Sequence, residues 1–396
     1  MASTIENASA ENLHRPESPM SAAPTVSFIV LCYKLAHLLP ECVNSILSQT
    51  YCDFEVLIMD DCSPDNTGDV AKSFQDPRVK YVLNEKNLGV SRNENEGIRL
   101  SRGKYVWIIS ADDYLRRPYI LQRYVELMEE HSGVGFACCS GVGVREGREV
   151  GVVSYSKYQD RDGIFDGRVF LNKLLYGNFV LAPSVLVRRE CYDKISLYPL
   201  ELVWADLKID MVWAADWYLW CVFALSFDVA YFAEPMVCYR EHELSISNSL
   251  NQQNLKLCVT ADIAVPWLIR QKADERGLQK LSKTCLRAIA HEYASHGQAK
   301  RYRGSMSRMS VGEFEESLCK GTKSEKERNW IRARFYAAKG DVSFSEGNIP
   351  AARKLYLKSL QKDPRMVKVY AKLLLSLGKL GVYLRTLLSS IRNEYN

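Results

Sequence analysis

Residues 26–33 read VSFIVLCY, residues 54–61 read FEVLIMDD, and residues 105–113 read YVWIISADD. Each begins as an unbroken apolar run rich in β-branched and aromatic residues, the pattern of a strand buried on both faces. The second and third runs stop abruptly at paired carboxylates, Asp60-Asp61 and Asp112-Asp113. Helical spacing fills the gaps. Leu39, Cys42, Val43 and Ile46 recur on one face, and Asp65 or Asn66 is placed to cap a helix reaching about Phe74. A short strand is expected at 79–83 and a polar helix at 87–101, and Pro118 opens a helix whose Tyr124, Val125 and Met128 share a face. Alternating strands and helices predict an α/β fold, Rossmann-like, with a mostly parallel sheet and right-handed crossovers.

Beyond Gly133 the pattern changes. Residues 134–144 and 150–155 read as antiparallel strands turning at Arg145-Glu146-Gly147. A helical stretch at 170–176 precedes the strand-like FVLAPSVLV of 179–187. A helix at 216–225 and a strand at 229–232 follow, and from about residue 250 the chain reads as helix only. Residues 1–24 carry Glu6, Glu11 and Glu17 without an apolar segment, so a loose tail is expected there, with no signal peptide and no anchor. The expected division is therefore tail 1–24, α/β domain 25–250 and all-α region 251–396. Near 333–366, Ala338, Gly340, Gly347, Ala352, Tyr356, Ser359 and Pro364 fall at the spacings of a tetratricopeptide-like helix pair, with supporting helices expected at 254–297 and 367–388.

At 396 residues with 47% apolar and 25% charged residues, the chain has the composition of an ordinary globular protein, not a disordered or fibrous one. Lys and Arg number 52 and Asp and Glu 47, so the net charge is +5, too small a surplus for a dedicated nucleic-acid binder. The one dense basic stretch, 320–334, reads as a solvated helix face. Twelve Cys, none in a C-x-x-C pair, speak against a zinc site or a disulfide scaffold and fit a reducing cytoplasm. The most apolar run, 211–232, is broken by Asp216 and Asp228, so no transmembrane span is expected.

Open parallel sheets bind ligands at the carboxyl edge of their strands. Four acids at one such edge repel unless a cation or hydrogen-bond donors stand among them. Mg²⁺ or Mn²⁺ suits, because hard divalent ions take carboxylate oxygens together with substrate phosphates. Either Asp pair alone also reads as a turn or a helix cap.

These stretches, with SILSQTYCDFEVLIMDDCSPDNT, NLGVSRNENEGIRLSRGKYVWIISADDY, NFVLAPSVLVRR, AADWYLW and EPMVCYREHELSIS, resemble in order and spacing a family 2 glycosyltransferase of the GT-A fold. The resemblance covers residues 26 to about 247. It implies an inverting, metal-dependent enzyme that moves a sugar from a nucleoside diphosphate donor, expected to be UDP-linked, to a glycan, lipid-linked or protein acceptor. The setting it implies is bacterial-envelope or surface-glycan synthesis, in the cytoplasm or at the membrane's inner face. By the same resemblance Asp61 or Asp60 accepts a hydrogen bond from the base, and Asp112 and Asp113 are the metal-binding acids, Asp112 also serving the nucleotide. Asp216 is the general base. His242 ligates the metal or touches the diphosphate, and Arg240 contacts the diphosphate. Tyr33, Asn95 and Gly97 lie beside the nucleotide, and Pro183-Ser184 beside the acceptor.

Three positions depart from the family's pattern: Ser110 for the first Asp of the D-x-D-D run, Glu94 for Arg, and Ala215 for Glu. Ser110 and Ala215 support an alternative in which a catalytically silent module binds nucleotide and acts as a scaffold. A sugar nucleotidyltransferase ranks lower, because CYKLAH at 32–37 lacks the glycine-rich phosphate loop. The helical region is expected to hold a partner, a second copy or the acceptor, and to be separable from donor chemistry.

Overall fold

The computed structural model describes residues 23–195, 197–204, 207–210, 214–242, 252–298 and 324–378. The expected tail, apart from residues 23 and 24, and the end of the helix expected at 367–388 lie outside them. The three opening runs form β1 (Val26–Cys32), β2 (Phe54–Asp60) and β4 (Tyr105–Ser110), with β1 central and parallel to both neighbours. β3 (Val79–Leu83) lies parallel to β2 at the sheet's edge. The crossovers are α1 (Leu39–Leu47), α2 (Thr67–Ser73) and α3 (Val90–Leu100). Gly97 lets α3 lie close on β1, where a Cβ would collide with Ile29.

The second half extends the sheet. β5 (Tyr114–Leu115), α4 (Ile120–Glu130), β6 (Val134–Arg145), β7 (Arg148–Val152), β8 (Gly163–Phe165) and α5 (Gly167–Leu174) lead to β9 (Leu186–Arg188) and α6 (Arg189–Ile195). After β10 (Glu201–Trp204) and β11 (Leu207–Asp210), which pair with each other, come α7 (Ala215–Ala224) and β12 (Asp228–Arg240). The main sheet runs β3-β2-β1-β4-β9-β6-β12-β5, with β7 on β6 and β8 on β12. The β6–β7 turn has positive φ at both Glu146 and Gly147, as a tight hairpin requires.

Two expectations change here. The run at 179–187 is not one strand, since a 3-10 turn at Ala182–Ser184 interrupts it. Pro183 has no N–H to donate, and its carbonyl accepts the Trp107 indole N–H at 2.9 Å instead. The strand expected at 229–232 is far longer, because a register shift between Phe232 and Val237 carries it past Pro235 to Arg240.

Both faces of the sheet are covered. On one, Phe28, Trp107, Tyr124 and Phe232 stack in a column with centroids 5.3, 5.2 and 4.9 Å apart. On the other lie α3, α5, α6 and α7, joined by α8 (Gln252–Glu275), α9 (Gln279–Gln298) and α10 (Glu325–Ser345). α7 is apolar around its circumference, and every residue from Trp217 to Ala224 is buried. α8 packs on α7, α9 packs on α5, and α10 packs on α9. The expected boundary at 250 thus divides the sequence but not the apolar core. Beyond it, α10 and α11 (Ile349–Lys362) form a hairpin in which Gly340 faces Tyr356, and α12 (Val367–Leu375) packs on α11. Among the described residues no helix is long and apolar enough to cross a membrane.

Candidate active site at the strand ends

β1 suspends both acidic pairs from its carboxyl end. The Asp61 N–H donates to the Cys32 carbonyl and the Ala111 N–H to the Leu31 carbonyl, each at 2.9 Å. The two pairs therefore flank one strand at one edge, about 10 Å apart by ordinary strand spacing. Their surroundings differ sharply.

Asp60 and Asp61 are buried and fully engaged by protein donors. Asp60 accepts the Ser63 N–H at 2.9 Å and the Tyr81 hydroxyl at 2.8 Å. Asp61 accepts the Asn84 amide at 2.9 Å and the backbone N–H groups of Leu88 and Gly89 at 2.7 and 2.9 Å. Gly89, at φ +78°, leads into α3, so Asp61 fixes the entry of that helix. Asp65 likewise ties the Ala36 N–H (3.2 Å) to the Thr67 hydroxyl (2.6 Å). Tyr33 stands 41% exposed at the end of β1, with the Lys34 ammonium 5.0 Å from its ring centroid, open to a planar ligand.

The other pair is only half used. Asp112 Oδ2 lies 2.8 Å from His242 Nε2, while its Oδ1 is buried with no hydrogen-bond partner. Among the described residues no three or more His, Cys, Asp or Glu side chains converge into a ready-made metal cage. Mg²⁺ and its kin are commonly held by one or two carboxylates plus substrate phosphates, so the orphaned oxygen and the nearby imidazole fit such an ion. Asp113 turns inward, and its Oδ1 accepts the Arg240 N–H at 2.8 Å. Burial first, then the neighbouring Asp112 charge, push its carboxyl well above the usual range.

Two expected ligand contacts have other work. The Arg240 guanidinium is buried, donates to the Asp112 carbonyl at 2.9 Å, pairs with Glu41 and lies over Tyr114, so it is a strut and not a free diphosphate contact. The Asn95 amide donates to the Tyr198 carbonyl at 2.9 Å and accepts the Tyr198 N–H at 2.8 Å, which holds a loop.

Asp216 sits in the first turn of α7. Its Oδ1 accepts the Trp217 N–H at 2.6 Å and its Oδ2 the Asn178 amide at 3.0 Å. Burial raises its carboxyl to about 6 despite these donors. Glu94 lies near enough for the Asp216 charge to act on it, and burial with that charge pushes its carboxyl to about 8. Burial, then Tyr239, Asp113, Glu241 and Asp216, raise the Tyr155 phenol. Ser184, expected on the acceptor side, is instead wholly buried, its hydroxyl donating to the Leu181 carbonyl at 2.7 Å.

Residues 27–177 match the family model for glycosyl transferase family 2. The fold agrees with S. aureus TarS 1-349, solved in complex with UDP-GlcNAc, at TM-score 0.50 and 18% identity, covering 93% of this chain and 92% of that one. The chain carries a family 2 glycosyltransferase domain of GT-A fold. Relatives include glycosyltransferase GlyG of Streptococcus pneumoniae, 30% identical over 35% of this chain and 42% of its own length. An uncharacterized glycosyltransferase of Haemophilus influenzae is 26% identical over 59% of this chain and 71% of its own. The chain spans less than half the length of the first curated relatives, 42% of GlyG and 34% of EpsJ of Bacillus subtilis. In this glycosyltransferase domain Glu94 is the neighbour of Asp216 that sequence reading passed over as a functional group. The absence of Arg at 94 was visible, but its closeness to Asp216 joins α3 to α7 across 122 residues of chain (216 − 94) and leaves no local signal.

Proposed function

We propose that this protein is an inverting, metal-dependent glycosyltransferase that takes a nucleoside diphosphate sugar, UDP-linked, and transfers the sugar to a hydroxyl of a glycan, lipid-linked or protein acceptor. The observation that carries this reading is the buried, unsatisfied metal-type oxygen on Asp112 beside the His242 imidazole, and the raised carboxyl of Asp216 supports it. The complex of TarS with UDP-GlcNAc supports the choice of donor class.

The chain's own residues divide the work. Tyr33 offers a face to the base, and the loops fixed by Asp60, Asp61 and Asp65 shape the nucleotide's bed. Asp112 and His242 would hold Mg²⁺ or Mn²⁺, and Asp113 orients their strand end. When bound, that ion offsets the charge that grows on the departing diphosphate. Asp216 takes the proton as the acceptor oxygen bonds to the anomeric carbon and the carbon–oxygen bond to the diphosphate breaks. Attack from the face opposite the leaving group inverts the anomeric centre. A carboxylate raised to about 6 is a better base than an ordinary one and is still mostly ionised at pH 7. Asn178 holds it in place.

The test is UDP release from a panel of UDP-sugars with Mn²⁺, comparing the full chain with Asp216→Asn. Turnover that collapses in the variant supports the reading. Binding of UDP without turnover in either protein would establish the silent-module alternative.

A further inference from the structure

The charge of this chain is divided unevenly. Residues 1–250 hold 24 Lys and Arg against 34 Asp and Glu, a net charge of −10, whereas residues 251–396 hold 28 against 13, a net charge of +15. The small overall surplus hides two large values of opposite sign, and asymmetry of this kind marks a chain that meets a charged surface.

In the helical hairpin the basic residues gather on one face. On α11, Ala352, Tyr356, Ser359 and Leu360 are buried, and Lys354, Lys358 and Lys362 recur every fourth residue on the exposed side. Leu357, 50% exposed, lies among them. After a four-residue turn α12 begins with Val367, 77% exposed, and Lys368. The acids at hand are engaged elsewhere, Asp363 with Arg334 and Arg365 at 2.8 and 2.9 Å and Asp341 with Lys372. Among the described residues no acid pairs with the three lysines of the row, and Lys358 has only the Tyr336 ring, 5.6 Å from its Nζ.

We infer that this face of α11, with the start of α12, docks on an anionic lipid bilayer. The unpaired lysines meet headgroup phosphates, each worth about five-fold in affinity near such a surface. Leu357 and Val367 enter the boundary beneath the headgroups. A soluble polyanion would use the lysines and leave both aliphatic side chains in water, whereas a bilayer uses all of them. Docking does not depend on glycosyl transfer. Taken with it, the lipid-linked acceptor becomes the favoured one of the three classes named above.

The test is co-sedimentation of the full chain with vesicles of phosphatidylcholine alone and with about one-third phosphatidylglycerol, in about 0.1 M salt. The wild type should bind the anionic vesicles, ignore the neutral ones and come off in about 1 M salt. Lys354→Gln/Lys358→Gln/Lys362→Gln should weaken binding by about a hundred-fold and Leu357→Asn/Val367→Asn by about ten-fold. Lys280→Gln/Lys283→Gln, exposed on α9, should stay within about two-fold, and all three variants should melt with the wild type. A wild type that ignores anionic vesicles or holds them in high salt overturns the docking face, with no variant needed. Equal losses in the α9 and α11 variants also overturn it, since the charge would then act diffusely. So does tighter binding to heparin than to vesicles with no loss in Leu357→Asn/Val367→Asn, the result expected of a site for a soluble polyanion.

Discussion

The two acidic strand ends are twins in sequence and opposites in structure. At the end of β2, Asp60 and Asp61 give their oxygens to Ser63, Tyr81, Asn84, Leu88 and Gly89. At the end of β4, Asp112 keeps one buried oxygen without a partner, beside an imidazole. A carboxylate accepting several N–H groups is a brace. One left unsatisfied in the interior costs free energy that a ligand can recover. Paired acids at strand ends therefore mark where a site lies but not which of them serves the ligand.

The sharpest way to break this contrast is activity. Asp216→Asn should lower turnover by about a thousand-fold, the scale of losing a general base, while UDP affinity stays close to wild type. A variant with more than a tenth of wild-type turnover would remove Asp216 from the base role. Asp112→Asn should cost about a hundred-fold in Mn²⁺-supported turnover and weaken the Mn²⁺ dependence of UDP binding, while urea midpoints hardly move. Asp61→Asn should do the reverse. Losing charge-assisted bonds to two backbone N–H groups should cost about 2–3 kcal/mol in urea unfolding. If Asp112→Asn proved the more destabilising of the two, the division into brace and ligand would be wrong.

The pH response is a smaller effect and sharpens the other half. Turnover should rise with pH through about 6 as Asp216 ionises, and the limb should vanish with Asp216→Asn. Glu94, raised to about 8, is neutral at pH 7. A carboxyl raised on folding stabilises fully below its unfolded value near 4.5, and that contribution is lost as pH climbs through about 8. The melting temperature of the wild type relative to Glu94→Gln should therefore fall between pH 5 and 8. A difference that stays flat with pH would show Glu94 to be an ordinary ionised acid.

How much of this was legible follows from the range of each interaction. β1, β2, β4 and their helices were plain because burial on both faces writes an unbroken apolar run into the chain. The long β12 was read only as far as Phe232, because Glu234 and Pro235 break the pattern where the register shifts. β10 and β11 were missed, since Lys208 and Asp210 leave no clean apolar run. Asp112 was singled out by its place at a strand end, and Asp216 and His242 by the family resemblance. The roles of Arg240 and Asn95 were not readable. Their partners Glu41 and Tyr198 lie 199 and 103 residues away in sequence, and no spacing rule reaches that far.

α7 carries Asp216 at its tip and has no polar side, so something must cover its outer flank. α8 does so, with α9 and α10 behind it in the same apolar cluster. The C-terminal helices are thus the outer wall of the mounting of Asp216. A chain cut near residue 250 would bare that wall to water and loosen donor and acceptor chemistry together. Exchanging these helices with those of a relative would require matching their inner faces to α7 before any new specificity was reached.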